Sequence, residues 1–201
     1  YSEYGEMFLY ERLPAALADT LRSAGSAETK TAAVHALANI TEVGARDNAA
    51  GRSQLRSAGG VPALLEVLLS PASTELHEAT CQVLANLCED ASNDWRQLLE
   101  AGAVFSVAGM LSSSSAALQE AALTLLAMLC GHDSCRDQVA DAGCMPALCV
   151  LLSSSKPRVQ APALALTQEL CSSRVACLTL LECGAASPLA AMLGQSSISP
   201  T

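Results

Sequence analysis

Aromatic residues are scarce in this chain: one Trp, three Tyr and two Phe make up 3% of its 201 residues. Sheet proteins draw on aromatic and β-branched side chains, whereas here Ala and Leu lead a composition that is 51% hydrophobic, and no segment alternates steadily between hairpin turns. An all-α fold is expected. Basic residues are also few, eleven Lys and Arg against twenty Asp and Glu, for a formal charge of -9. That sign opposes counterion-driven binding to nucleic acid or to anionic lipid, and no basic cluster offsets it. Neither partner class is expected.

A continuous apolar run of about 20 residues, the signal for a membrane span, is missing as well. Residues 101–119 and 183–201 carry no charge, but the first includes Gly102, Gly109 and Ser112 to Ser115, and the second ends in QSSISPT. The sequence reads as having no membrane segment and no secretory signal peptide, and its opening at Tyr1 rather than Met reads as a piece of a longer chain. GxGxxG, Walker A and HExxH patterns are absent. The three histidines, His35, His77 and His132, fall in different segments with no nucleophile and carboxylate in repeating register, so no catalytic chemistry is expected.

The nine cysteines include no CxxC. Several stand where equivalent segments carry Leu, Val, Ala or Thr, which suits small apolar residues in a reducing compartment, the cytoplasm with the nucleus as alternative. Cys130, His132 and Cys135 spell CxHxxC, but without a second cluster this is a weak metal signature. No metal or cofactor is assigned.

What the chain does contain is a repeat. Gly59, Gly102, Gly143 and Gly184 each precede an apolar run and are separated by 43, 41 and 41 residues. A second marker, AVHALANIT, TCQVLANLC, ALTLLAMLC and ALALTQELC, begins at residues 33, 80, 122 and 163. Two landmarks stepping together by about 40 residues define a tandem unit of a few helices. The longer first step falls at EVGARDNAAGRS, 42–53, read as a polar loop. Within a unit, NDWRQLLEAG gives a first helix ending at Gly, VPALLEVLL a second with Pro near its start, and STELHEATCQVLANLC a third after a Ser-bearing turn. Pro early and Gly late is the asymmetry of helix ends. Gly102, inside the apolar stretch QLLEAGAVFSVAGML, is thus expected to be a corner between two helices.

LRSAGGVPALLEVLLS and HEATCQVLANLCED together resemble a nearly whole armadillo repeat: a short helix closing on AG, a helix patterned x-P-x-L-x-x-L-L, and a third ending L-x-N-L. The resemblance extends over about residues 13–194, with HEAT repeats, which lack the short first helix and its Gly, as the near alternative. It implies a right-handed superhelical solenoid of three-helix armadillo-type repeats: a partial unit at 1–44, units at 52–89, 93–130 and 133–171, and a partial unit at 173–194. In the first of these Tyr10, Glu11 and Arg12 replace the usual Ala-Gly. MFLY at 7–10 reads as a hydrophobic cap or a docking patch, and Trp95 as core or partner contact. Pro162 falls inside the expected third helix of the 133–171 unit, so that helix should kink or start near Ala161.

The resemblance also implies that third helices line a groove for extended peptides, with an Asn near the end of each holding the peptide backbone. That position reads Asn39, Asn86, Met128 and Glu169, and one turn earlier stand His35, Gln82, Thr124 and Ala165. An amide both donates and accepts, so it matches a main chain, or equally a neighbouring loop carbonyl. Importin-alpha-like members carry Trp at the earlier position, and beta-catenin-like members a groove rich in Lys and Arg; neither pattern is present. Glu78, Glu89, Asp90 and Glu120 add an acidic strip that is either solvated surface or a bias toward basic segments. The candidate partner-binding set is His35, Asn39, Glu78, Gln82, Asn86, Glu89, Asp90, Glu120 and Thr124, centred on residues 35–90. The expected function is a non-enzymatic scaffold or adaptor for a protein or peptide. A self-associating assembly module, or a substrate-binding domain of a larger protein such as a ubiquitin ligase, are the alternatives.

Overall fold

Each of the four aligned glycines turns the backbone into the left-handed region, with φ of 70° at Gly59, 70° at Gly102, 69° at Gly143 and 89° at Gly184, and among the described residues no other residue type does so. In the computed structural model, which describes residues 2–23, 25–42, 48–88 and 94–196 (side chains from 12 to 192), each of these residues closes one helix just before the next begins. The expected corners are borne out. An L-residue with a Cβ pays roughly 1–2 kcal/mol for this conformation, which Gly avoids.

Thirteen helices and no strands occur among the described residues. In chain order they are α1 (Ser2–Arg22), α2 (Ala27–Thr41), α3 (Asn48–Ser57), α4 (Gly60–Leu69), α5 (Thr74–Cys88), α6 (Asp94–Glu100) and α7 (Ala103–Met110). Then come α8 (Ala116–Cys130), α9 (Asp133–Asp141), α10 (Met145–Leu152), α11 (Pro157–Leu170), α12 (Arg174–Glu182) and α13 (Ala186–Ser196). α3 to α5, α6 to α8 and α9 to α11 are successive helix triplets, each with one of the corner glycines between its first two helices. Serine turns start the third helices α2, α5 and α8: the hydroxyl oxygens of Ser26, Ser73 and Ser115 accept from the N–H groups of Thr29, Leu76 and Leu118 at 3.2, 3.2 and 3.3 Å, pairing donors the helix leaves open.

Where the Gly is missing, so is the corner. With Tyr10, Glu11 and Arg12 in the place of Ala-Gly, α1 runs unbroken for 21 residues through Pro14. The side chains of MFLY at 7–10 lie outside the described residues. One expectation needs correction, and of the two alternatives at Pro162, a kink or a later start, the later start is removed. The segment 42–53 is not all loop, because α3 begins at Asn48; the Asn48 amide donates 2.8 Å to the Glu42 carbonyl and 3.3 Å to that of Asn39, anchoring the helix start against the end of α2. α11 starts at Pro157 rather than near Ala161 and continues through Pro162. Pro162 there removes the bond to the carbonyl of Arg158, an exposed residue of the first turn, where water can take the place of the lost donor.

The chain forms two compact units, Tyr1–Ser106 and Val107–Thr201. In the first, α2 packs along α5, while α1 packs on α2, α3 and α4, around fully buried Val34, Leu37, Leu55, Leu64, Val83, Leu84 and Leu87. Gly51 lets α3 approach α2, since a Cβ there would collide with the carbonyl oxygen of Ile40. In the second unit α8 packs along α11, with α9 against α8 and α10 against α11, around Leu123, Leu126, Leu129, Leu148, Val159, Leu166 and Leu170. Each such side chain contributes about 2 kcal/mol of burial. No single helix among the described residues is long and apolar enough to cross a membrane.

A Cβ at Gly102, Gly143 or Gly109 would meet nothing within 4 Å, and only Gly109 has an ordinary φ. Gly102→Ala and Gly143→Ala are therefore expected to lose about 1 kcal/mol each from backbone conformation alone, while Gly109→Ala, inside α7, gains roughly 0.5–1 kcal/mol. Urea unfolding of the three variants checks the sign; equal effects at Gly102 and Gly109 would contradict the corner.

Candidate functional site

The predicted residues of the first unit sit on its two packed third helices. His35 and Asn39 are exposed on α2; on α5, Gln82 is exposed and Glu78 half-buried. The two helices are bridged at this face by His35, whose Nε2 lies 3.3 Å from Oε1 of Glu75, an exposed residue absent from the predicted set.

Asn86 differs from its neighbours. It is only 7% exposed; its Nδ2 donates to Thr41 Oγ1 at 3.3 Å and its Oδ1 accepts from Gln82 Nε2 at 3.1 Å. Thr41 is fully buried and its hydroxyl donates to the Leu37 carbonyl at 2.7 Å. This chain of bonds forms the floor between α5 and α2, and leaves Asn39 and Gln82 as the outward amides. Glu89 and Asp90 lie outside the described residues.

Glu120 and Thr124 belong to the second unit, on α8. Glu120 is paired with Arg158 of α11 at 2.5 Å, which offsets its charge, and the Thr124 hydroxyl donates back to the Glu120 carbonyl at 2.9 Å. Exposed Met128 on α8 and Leu164 on α11 give this face an apolar character. The two faces thus differ in chemistry: amide and acidic in the first unit, apolar with a neutralised carboxylate in the second.

Arginines that hold the helix ends escaped the sequence reading. Seven residues before the corner Gly, Arg52 and Arg136 reach back to the end of the preceding third helix. Arg52 Nη1 donates to the Thr41 carbonyl at 3.2 Å. Arg136 Nε donates to that of Cys130 at 2.6 Å and Nη2 to that of Gly131 at 3.3 Å. Cations suit these terminal carbonyls, which have no intrahelical partner and carry the negative end of the dipole. In the next unit the same position is Trp95, whose ring lies 5.1 Å from the Arg96 guanidinium, and Arg56 of α3 takes over. Its Nη2 donates to the Leu87 carbonyl at 2.6 Å while its Nε pairs with buried Asp94. The signal was available as an Arg recurring at fixed distance before Gly.

All nine cysteines are free thiols. Burial pushes Cys81 and Cys130 up to about 12 and Cys135 and Cys144 to about 11, with Glu78 adding at Cys81 and the neighbouring Cys135 at Cys130. These thiols are apolar filling. Among the described residues no group of three or more His, Cys, Asp or Glu could hold a metal ion. CxHxxC does not converge because Cys130 and Cys135 turn into the core while His132 is only half-buried at the start of α9.

The family model of the armadillo/beta-catenin-like repeat matches residues 48–89 and 132–172. The crystal structure of an engineered protein, 25% identical, superposes with a TM-score of 0.75 over 88% of this chain and 71% of that one. A designed armadillo repeat protein in complex with the peptide (KR)4, 24% identical, gives 0.74 over 87% and 72%. Computationally designed armadillo repeat proteins for modular peptide recognition, 22% identical, give 0.74 over 87% and 72%. No curated protein matches the sequence. The chain therefore has an armadillo-type fold, and the family model of that repeat matches its segments 48–89 and 132–172.

Replacing Asn86 with Ala removes the amide's bonds to Thr41 and Gln82, the first of them buried, so Asn86→Ala is expected to cost about 1 kcal/mol of stability. Asn39→Ala, at an exposed site, should stay within about 0.5 kcal/mol. Chemical unfolding of both variants checks the difference between floor and surface.

Proposed function

We propose that the α2 and α5 face of the first unit holds an extended segment of a partner protein, and that the chain acts as a scaffold or adaptor without chemistry of its own. The observation that carries this reading is the pairing of outward amides, Asn39 and Gln82, on adjacent third helices, beside the carboxylates of Glu75 and Glu78. Amides pair with a main chain whatever its side chains, and carboxylates favour basic residues in the bound segment. The peptide (KR)4 bound by a designed protein of the same fold supports that preference. The nine free thiols are compatible with a cytoplasmic or nuclear setting.

A labelled peptide of alternating Lys and Arg, titrated by fluorescence anisotropy, tests the reading. Asn39→Ala combined with Gln82→Ala is expected to weaken binding about tenfold, roughly 1.4 kcal/mol, and Glu75→Gln with Glu78→Gln to weaken it further and flatten its salt dependence. Glu120→Gln should change nothing. Equal affinity for an acidic peptide of the same length would overturn the proposal.

A second reading, self-association, is favoured by α12, where Val175, Leu178 and Leu181 are 64%, 51% and 51% exposed on successive turns. Light scattering over a concentration series is then expected to show mass growing with concentration in the wild type and not in Leu178→Ser; a constant monomer mass would remove this reading.

A further inference from the structure

The outer face of α12 has the same apolar pattern read from either end. Leu178 stands at the middle of this nine-residue helix. Val175 and Leu181 lie three residues to either side of it, and Arg174 and Glu182 close the ends at four. At 3.6 residues per turn these five positions fall within an arc of about 120°, and all five are exposed. Ala176 and Leu180, on the opposite side, are buried. Among the described residues no ion pair within the chain engages Arg174 or Glu182.

The exposure of Val175 and Leu178 does not come from the place of α12 in the array. Counted back from the corner Gly, their positions are held by Ala50 and Ser53 in α3 and by Ser134 and Asp137 in α9, and all four are exposed as well. Since α12 itself packs on α9, these positions stay open to water even where another first helix follows. What changes in α12 is the chemistry, from small or polar to Val and Leu. The opening charge changes too, Asp133 in α9 against Arg174 in α12. A cation at a helix N-terminus and a carboxylate at its C-terminus both oppose the helix dipole, so neither charge gains from its place within one chain.

We propose that this face docks on the same face of a second copy, the two α12 helices packing antiparallel about a twofold axis through Leu178. The proposal rests on the reading of α12 as a self-association face and adds to it the geometry and the number of copies. Charge complementarity selects the occupant. Across such an axis Leu178 meets its own counterpart, Val175 meets Leu181 of the second copy, and Arg174 meets Glu182 of the second copy, the last two contacts occurring twice. A parallel pairing would instead set Arg174 against Arg174 and Glu182 against Glu182. Antiparallel packing also brings each α12 N-terminus beside the C-terminus of the other helix. An isologous contact of this kind closes after two copies, so no filament grows from it. Two helices of this length bury less than the about 1,200 Å² of a standard interface, so the dimer is weak and forms at high protein concentration.

Sedimentation equilibrium into the hundreds of micromolar tests the pairing, with circular dichroism to check the helix content of each variant. The expected mass levels off at two chains. Arg174→Glu alone and Glu182→Arg alone, each placing like charges together twice, weaken the dimer about tenfold. The variant carrying both reversals returns to within about threefold of the wild type, and the two single variants mixed together pair with each other as well as wild type does. Association that climbs past two chains, that ignores the single reversals, or that the double reversal does not restore leaves self-association standing and overturns the antiparallel pair. A wild type that stays monomeric throughout overturns both. Sedimentation of that monomer with phosphatidylcholine vesicles, lost in Leu178→Ser, would assign the face to lipid instead.

Discussion

Four peptide units forced into left-handed backbone carry the architecture. A helix continues until something stops it, and here the stop is a residue with no Cβ, able to take φ near 70° at Gly59, Gly102 and Gly143 and 89° at Gly184 without steric cost. Each stop turns a short helix into the next within two or three residues. The counter-example lies in the same chain. At 10–12, where Tyr, Glu and Arg stand in place of Ala-Gly, α1 simply runs on to Arg22.

Once the corners are set, the ends of the third helices become the next problem, because their last carbonyls have no partner inside the helix. Guanidinium groups answer it. Arg52, Arg56 and Arg136 each donate to such carbonyls, and Arg56 does so while compensating Asp94, which is nearly buried. These contacts join consecutive repeats through polar geometry, where Leu against Leu gives the bulk of the burial. What the third helices present outward then differs between the units. In the first unit that strip bears amides and carboxylates over a floor closed by Asn86 and Thr41; in the second it bears Met128 and Leu164, with Glu120 held by Arg158.

The contrast between Asn39 and Asn86 shows where reading a one-dimensional register stops being informative. Both stand at the same position of the repeat, and sequence logic treats them alike. Asn86, however, has Thr41 across the helix interface, a small hydroxyl whose lone pair sits within 3.3 Å of the amide, and so it turns inward. Asn39 stays exposed on α2. Likewise Glu120 reads as an available carboxylate until Arg158, 38 residues away, is found beside it. His35 reads as an isolated imidazole until Glu75 faces it from α5.

Local physics was enough for the helical class, the period, the glycine corners and the serine starts of the third helices, because each depends on the conformational preference of a residue and its immediate neighbours. Pro162 and the early start of α3 lie at the margin of that logic: packing and a pair of side-chain bonds from Asn48 prevail over weak local signals. Which amide faces outward and which carboxylate keeps its charge available were decided only by tertiary structure. Those properties belong to pairs of groups from different helices, and the distance between such groups is fixed by packing that no single stretch of sequence contains.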